Sequence, residues 1–120
     1  MLFPLIPIRL HGWLDEFATL SYLAAAVALG FEGAALWLLV FAAAFHFANT
    51  RLTDYPQGHW RAYSLATHAK LEFIEGLGLL IAAWFLRFET SEQQLTFVIF
   101  GASQLGAALA GDTRLPAPSL

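Results

Sequence analysis

Four apolar stretches divide the chain, and short polar segments separate them. They run from about Leu14 to Phe31, Ala34 to Ala48, Leu71 to Phe88 and Leu95 to Ala110. Each is near the lower end of the roughly 17–25 residues that cross a bilayer, and polar flanking turns lengthen it. None carries the wide charged face of a helix on the surface of a soluble bundle. The pattern predicts an all-α membrane protein of four transmembrane helices. Phe31-Glu32-Gly33 makes a tight first turn, and Arg87 to Gln94 makes a second. There Thr90-x-x-Gln93 and Ser91-x-x-Gln94 both offer capping-box starts for the last helix. The helices therefore pair as two antiparallel hairpins.

Between the hairpins lies the longest polar stretch, Asn49 to Thr67, which reads as a loop with an interfacial segment around Trp60 and Tyr63. Thr53-Asp54-Tyr55-Pro56 stops the second helix, because Pro56 holds Tyr55 in extended geometry. Met1–Leu10, with Pro4 and Pro7, reads as an apolar arm at the interface. A cleaved signal peptide is not expected, since the apolar stretch after Arg9 opens with His11, Asp15 and Glu16.

A shift of about 57 residues superimposes the two hairpins, as an internal repeat requires. His11 falls on His68, Leu14 on Leu71, Asp15 on Glu72, Leu20 on Leu77, Phe31 on Phe88 and Glu32 on Glu89. After a short insertion in the second turn, Thr50-Arg51-Leu52 falls on Thr113-Arg114-Leu115. Repeat one covers about 9–56 and repeat two about 66–116, within a single domain, 1–120. Each copy has two spans, so both enter from the same side. They are parallel repeats about an axis along the membrane normal, with the first and third helices facing each other.

Composition sharpens this reading. Of 120 residues, 58% are hydrophobic and 12% charged, about half the charged share of a soluble domain. The net charge of −3 argues against nucleic acid, and the absence of Cys excludes disulfides, thiolate metal sites and thiol catalysis. Arg9, Arg51, Arg61, Lys70 and Arg114 fall on one side of the expected membrane and Arg87 on the other. The positive-inside rule then makes both termini cytoplasmic. Trp13, Tyr55, Trp60 and Tyr63 suit an aromatic belt on that face. The expected location is a bacterial cytoplasmic (inner) membrane, multi-pass.

His11-Gly12-x-Leu14-Asp15, Leu52-Thr53-Asp54-Tyr55, and His68-x-x-Leu71-Glu72 followed by Gly76 span nearly the whole chain. On these motifs it resembles the SPW-repeat family of small bacterial membrane proteins. The Ser-Pro-Trp tripeptide itself is replaced by Ala24-Ala25-Ala26 and Ala82-Ala83-Trp84. The resemblance implies four helices and no established activity, and it carries over no catalytic residue.

The chemistry-bearing residues gather near one end. His11 with Asp15, and His68 with Glu72, are each spaced i, i+4 and so share a helix face. If those faces meet, His11, Asp15, His68, Glu72 and Glu75 form a buried polar cluster. The favoured expectation is an ion-pair network in which His of one repeat pairs with the acid of the other. The alternative is a metal site of His11, Asp15, His46, His68 and Glu72, whose nitrogen and oxygen donors suit zinc, iron or manganese. A bis-imidazole haem would pair His46 with His11 or His68, with His59 left in the loop. Glu75, about 10 Å beyond His68, falls at hydrocarbon depth, where an ionisable group is by default a functional hypothesis. A neutral Glu75 bonded to Ser21, Thr19 or Gln104 is preferred over a proton path, because Leu-Gly-Leu-Leu-Ile-Ala-Ala beyond it carries nothing that titrates. On the fourth helix, Ala102, Gly106 and Ala110 follow a small-xxx-small spacing that suits either packing in the bundle or docking on another protein.

The function expected from these features is non-enzymatic: a small scaffold or accessory subunit without a resident cofactor. It would pack in the lipid bilayer against a larger membrane complex, another membrane protein or a homo-oligomer of itself. A metal- or haem-binding protein, and a small proton or ion transporter around Glu75, are the rival expectations.

Overall fold

Residues 6–56 and 58–111 are described in the computed structural model of the chain. They form four helices: α1 (Ile8–Ala28), α2 (Gly33–Leu52), α3 (Leu65–Phe85) and α4 (Ser91–Ala110). Residues 1–5 of the expected arm, the charge of Arg114 and the Thr113-Arg114-Leu115 match lie outside the described residues.

The architecture is all-helical, with α1 packed on α2 and α3 on α4 as two hairpins. α1 and α3 begin 57 residues apart, at Ile8 and Leu65, and end 57 apart, at Ala28 and Phe85. The helices start earlier than the apolar stretches suggest. The polar first turns of α1 and α3 are helical, so His11 and His68 both sit in the fourth helical position. The expected arm accordingly ends at Pro7, and the inter-hairpin loop shrinks to residues 53–64, because Asn49–Leu52 complete α2 and Leu65–Thr67 open α3.

Local signals explain the ends. Gly30 and Gly33, both at positive φ (60° and 59°), turn the chain out of α1 and into α2 at little steric cost. Of the two capping-box starts, Thr90 is the one used, and its side chain accepts from the Gln93 amide at 3.2 Å. Gln93 does not reciprocate to Thr90 as a capping box would. Its Oε1 accepts from Glu89 N, and its Nε2 donates to Leu29 O at 2.9 Å, tying the two hairpin turns together. Phe31, Phe88 and Phe97 close that end as an aromatic cluster.

The bundle buries an apolar core and, at one end, a polar cluster, while many large apolar side chains lie on its outside. Trp13, Phe17, Val27, Trp37, Trp84 and Phe85 point outward, each at least two-thirds exposed, while His46, His68, Glu72 and Asp15 are buried. Among the described residues one helix, α2, is long and apolar enough to cross a membrane on its own. α1 and α3 carry the buried acidic side chains Asp15, Glu72 and Glu75. The expected small-residue seam is elsewhere: Ala102 and Gly106 face outward on α4. The close α3–α4 approach uses Gly76 and Gly101, where a Cβ on either would lie 2.8 Å from the other's carbonyl oxygen.

Candidate metal centre

The site lies at the end of the bundle where α1 and α3 begin and α2 finishes. Helical i, i+4 spacing places His11 over Asp15 on α1 (3.6 Å) and His68 over Glu72 on α3 (3.9 Å). Facing helices then bring the two pairs together crosswise. His11 Nε2 is 3.2 Å from Glu72 Oε2, and His68 Nε2 is 3.3 Å from Asp15 Oδ2. One donor atom from each of His11, Asp15, His68 and Glu72 lies within 4.8 Å of the others, and all four residues are buried.

α2 contributes His46, fully buried, which bridges two acids. Its Nε2 is 3.4 Å from Asp15 Oδ1 and its Nδ1 2.8 Å from Glu75 Oε2. The partners expected for Glu75 are corrected here: Thr19 and Ser21 donate their hydroxyls to the carbonyls of Asp15 and Phe17 one turn back, and His46 takes the carboxylate. Among the described residues, the interior beyond Glu75 is largely apolar, with Leu39, Leu79, Ala83 and Phe97.

The inter-hairpin loop folds back over the site. Thr53 Oγ1 donates to Asn49 O, which spends its one hydrogen, so the same oxygen accepts from His68 Nδ1 at 2.8 Å. That bond fixes the proton of a neutral His68 on Nδ1 and leaves the Nε2 lone pair aimed at the carboxylates. Tyr55 donates its phenol to Asp15 Oδ2 at 2.6 Å. Burial, then the neighbouring Asp15 charge, push the Tyr55 phenol well above its ordinary value, so it remains a donor. The loop takes this path because Gly58 packs on the Thr53 carbonyl, where a Cβ would sit 1.8 Å away, and because Arg61 adopts positive φ (47°). Asn49 supports it from α2, donating to His68 O and accepting from the Tyr63 phenol.

What the cluster lacks is as informative as what it has. Among the described residues, His11 Nε2, His46 Nε2, His68 Nε2 and both oxygens of Glu72 are buried and make no hydrogen bond. The imidazoles nonetheless lie crosswise against the acids, His11 on Glu72 at 3.2 Å and His68 on Asp15 at 3.3 Å, the His–acid approach that the repeat suggests. Buried polar atoms are nearly always satisfied, so each orphan calls for a partner. Carboxylates, not an open slot, separate the imidazoles, and a porphyrin has no plane to occupy. His59 is exposed in the loop, away from the cluster.

The Thr53–His68 and Tyr55–Asp15 contacts were not expected from sequence, although Thr53-Asp54-Tyr55 drew notice as a helix stop. Comparisons with protein families, curated proteins and solved structures find nothing that matches this chain.

Proposed function

We propose that the protein is a four-helix integral membrane protein that holds one divalent metal ion between its two hairpins, with His11, Asp15, His68 and Glu72 as ligands. The observation that carries this is the set of four N···O separations, 3.2 and 3.3 Å between α1 and α3 and 3.6 and 3.9 Å within each helix. Donors about 2.0–2.2 Å from a tetrahedral zinc would stand about 3.3–3.6 Å apart. The orphaned Nε2 and carboxylate atoms are those that a cation would satisfy.

Charge supports the same reading. Asp15, Glu72 and Glu75 bring three negative charges into a dry interior, where unpaired charge is costly. One divalent ion would offset two of them, and His46, 3.4 Å from Asp15 and 2.8 Å from Glu75, faces the third. Tyr55 and Thr53 then act as the outer partners that orient metal ligands. His46 is a supporting residue in this scheme, and the ligand set is two nitrogens and two carboxylates, suited to zinc, iron or manganese.

Lipid embedding rests on the apolar outer surface and on helix length. Helices of 20 or 21 residues are about 30 Å long, the thickness of the hydrocarbon layer. Large apolar side chains such as Trp13, Phe17, Trp37 and Trp84 point outward, and Asp15, His46, Glu72 and Glu75 are buried between the helices, as polar groups inside a membrane are.

The test is purification in mild detergent, stripping with a chelator and reloading with zinc or cobalt. One metal per chain, and a tetrahedral cobalt spectrum lost in His68→Ala, are expected. A wild-type chain that retains no metal after reloading overturns the reading. The accessory-subunit role is a separate reading, supported by the outward row of Ala102 and Gly106 on α4; copurification of a membrane partner tests it.

A further inference from the structure

The two seams between the hairpins should be alike if the halves are equivalent, and they are not. The backbones of α2 and α3 approach each other more closely than those of α1 and α4, which meet through side chains such as Tyr22 and Phe100. Helix starts at Gly33 and Ser91 put His46 of α2 in register with Gln104 of α4, and the 57-residue shift puts Glu75 of α3 in register with Ala18 of α1. So the α2–α3 seam is filled by the His46–Glu75 bond and leaves a recess of about 200 Å³. At the α1–α4 seam the corresponding pair is Gln104 and the small Ala18, and a groove of about 600 Å³ remains.

That volume is within the range of ligand sites, about 300–1,000 Å³. The groove's walls are apolar and aromatic, with Leu14, Phe17, Ile99 and Phe100. Its floor is polar and buried, formed by Tyr22, Asp15, Glu72 and Gln104. The Tyr22 hydroxyl and Glu72 Oε1 are buried and make no hydrogen bond among the described residues, while Glu72 Oε2 faces His11 Nε2 at 3.2 Å.

We infer that the α1–α4 groove receives a neutral, lipid-soluble phenol or quinol, its ring between Phe17 and Phe100 and its hydroxyl directed to Glu72, Tyr22 and Gln104. The inference rests on the reading that the exterior meets lipid, and not on the metal. The head must donate, because carboxylate oxygens only accept. A hydroxyl can donate to Glu72 and accept from Tyr22, whereas the ester carbonyl of a phospholipid only accepts. A fatty acid would bring an anion beside two carboxylates, a like-charge cost. The aromatic walls favour a ring, through edge and face contacts of the kind Tyr22 and Phe100 already make at 4.8 Å.

The test uses the full chain in lipid nanodiscs, metal-stripped and metal-loaded, with decylhydroquinone as the probe. Saturable binding above that of empty nanodiscs is expected. One lost hydrogen bond in Gln104→Leu or Tyr22→Phe should weaken it by roughly 5–10-fold. Ser103→Trp, at an exposed position lining the groove, should abolish binding while leaving helicity, melting and metal content unchanged. Equal uptake by wild type, Ser103→Trp and empty nanodiscs overturns the groove. Competition by decanoate or decylamine as strong as that by the probe overturns the phenol head. Probe binding by a chain that never retains metal sinks only the metal reading; metal retention without probe binding sinks only this one.

Discussion

His11 reaches across the bundle to Glu72, Nε2 to Oε2 at 3.2 Å, although its own helix offers Asp15 one turn away at 3.6 Å. The same exchange occurs with the halves reversed, His68 lying closer to Asp15 (3.3 Å) than to Glu72 (3.9 Å). Each imidazole thus faces the other hairpin's acid. A group that binds all four residues would clasp the hairpins directly, in a molecule whose α1 and α4 backbones stay apart and meet through side chains such as Tyr22 and Phe100.

Removing one ligand should therefore release the metal and loosen the hairpins together. His68→Ala and Glu72→Gln are expected to lose metal retention and to lower thermal stability, since a buried charge left without its partner costs about 3–5 kcal/mol. Metal content and melting temperature, measured on the same samples, check both effects. Protons compete for the imidazole nitrogens that bind metal, so ligation is favoured above the ordinary histidine value of about 6.5. Metal is expected to leave as pH falls through and below that value. Retention that is unchanged down to pH 4 would remove the histidines from the ligand set.

Much of this arrangement is legible in the chain, for physical reasons that differ by residue. His11, Asp15, His68 and Glu72 are visible because helical periodicity fixes which residues share a face, and because a repeated His-x-x-x-acid is rare in apolar sequence. The four helices follow from apolar runs, but their starts do not, since the opening turns of α1 and α3 are polar and held by inward contacts. The His46–Glu75 bond escapes sequence reasoning, as it depends on how α2 and α3 pack. The hydroxyls of Thr19 and Ser21, plausible partners for Glu75, are consumed by their own helix. The folded-back loop is least legible: it needs Gly58 against Thr53 and the positive φ of Arg61, neither of which any periodicity encodes.

Tyr55 tests whether that loop serves the site. Tyr55→Phe removes the phenol from Asp15 without touching a ligand atom, and outer partners of this kind contribute about 10–100-fold in metal affinity. Competition with a calibrated chelator should show a loss in that range with the fold intact. The phenol also carries a pH signature. It is held neutral by burial, so its contribution is complete below the unfolded value of about 10 and is lost as pH rises through the raised folded value. An absorbance titration of the folded protein should therefore show Tyr55 silent near pH 10. Tyr55→Phe should leave the amplitude there unchanged.

Glu75 separates support from ligation. Glu75→Gln keeps the shape but removes the acceptor charge facing His46 Nδ1 at 2.8 Å. A hydrogen bond to a charged group contributes about 1.5–3 kcal/mol, so the variant should be destabilised by that order in denaturant while still retaining one metal per chain. Asp15→Asn, by contrast, should lose the metal. Metal loss in Glu75→Gln equal to that in Asp15→Asn would place Glu75 among the ligands.

Gly76 probes the α3–α4 contact of the second hairpin, one turn beyond Glu72. A methyl there would stand 2.8 Å from both the Gly101 carbonyl oxygen and the Leu105 nitrogen, so backbone rather than a movable side chain must yield. Overpacking of this kind costs about 1–3 kcal/mol. Gly78→Ala, on the same helix with open space around it, is the matched control and should gain slightly from alanine's higher helix propensity. The α3–α4 contact is then expected to fail in the first variant alone, as a lower melting temperature in detergent. Equal melting of the two variants would mean that the helices do not approach through Gly76 and Gly101. The seam would then have to be sought along the outward row of Ala102 and Gly106, which the sequence also offers.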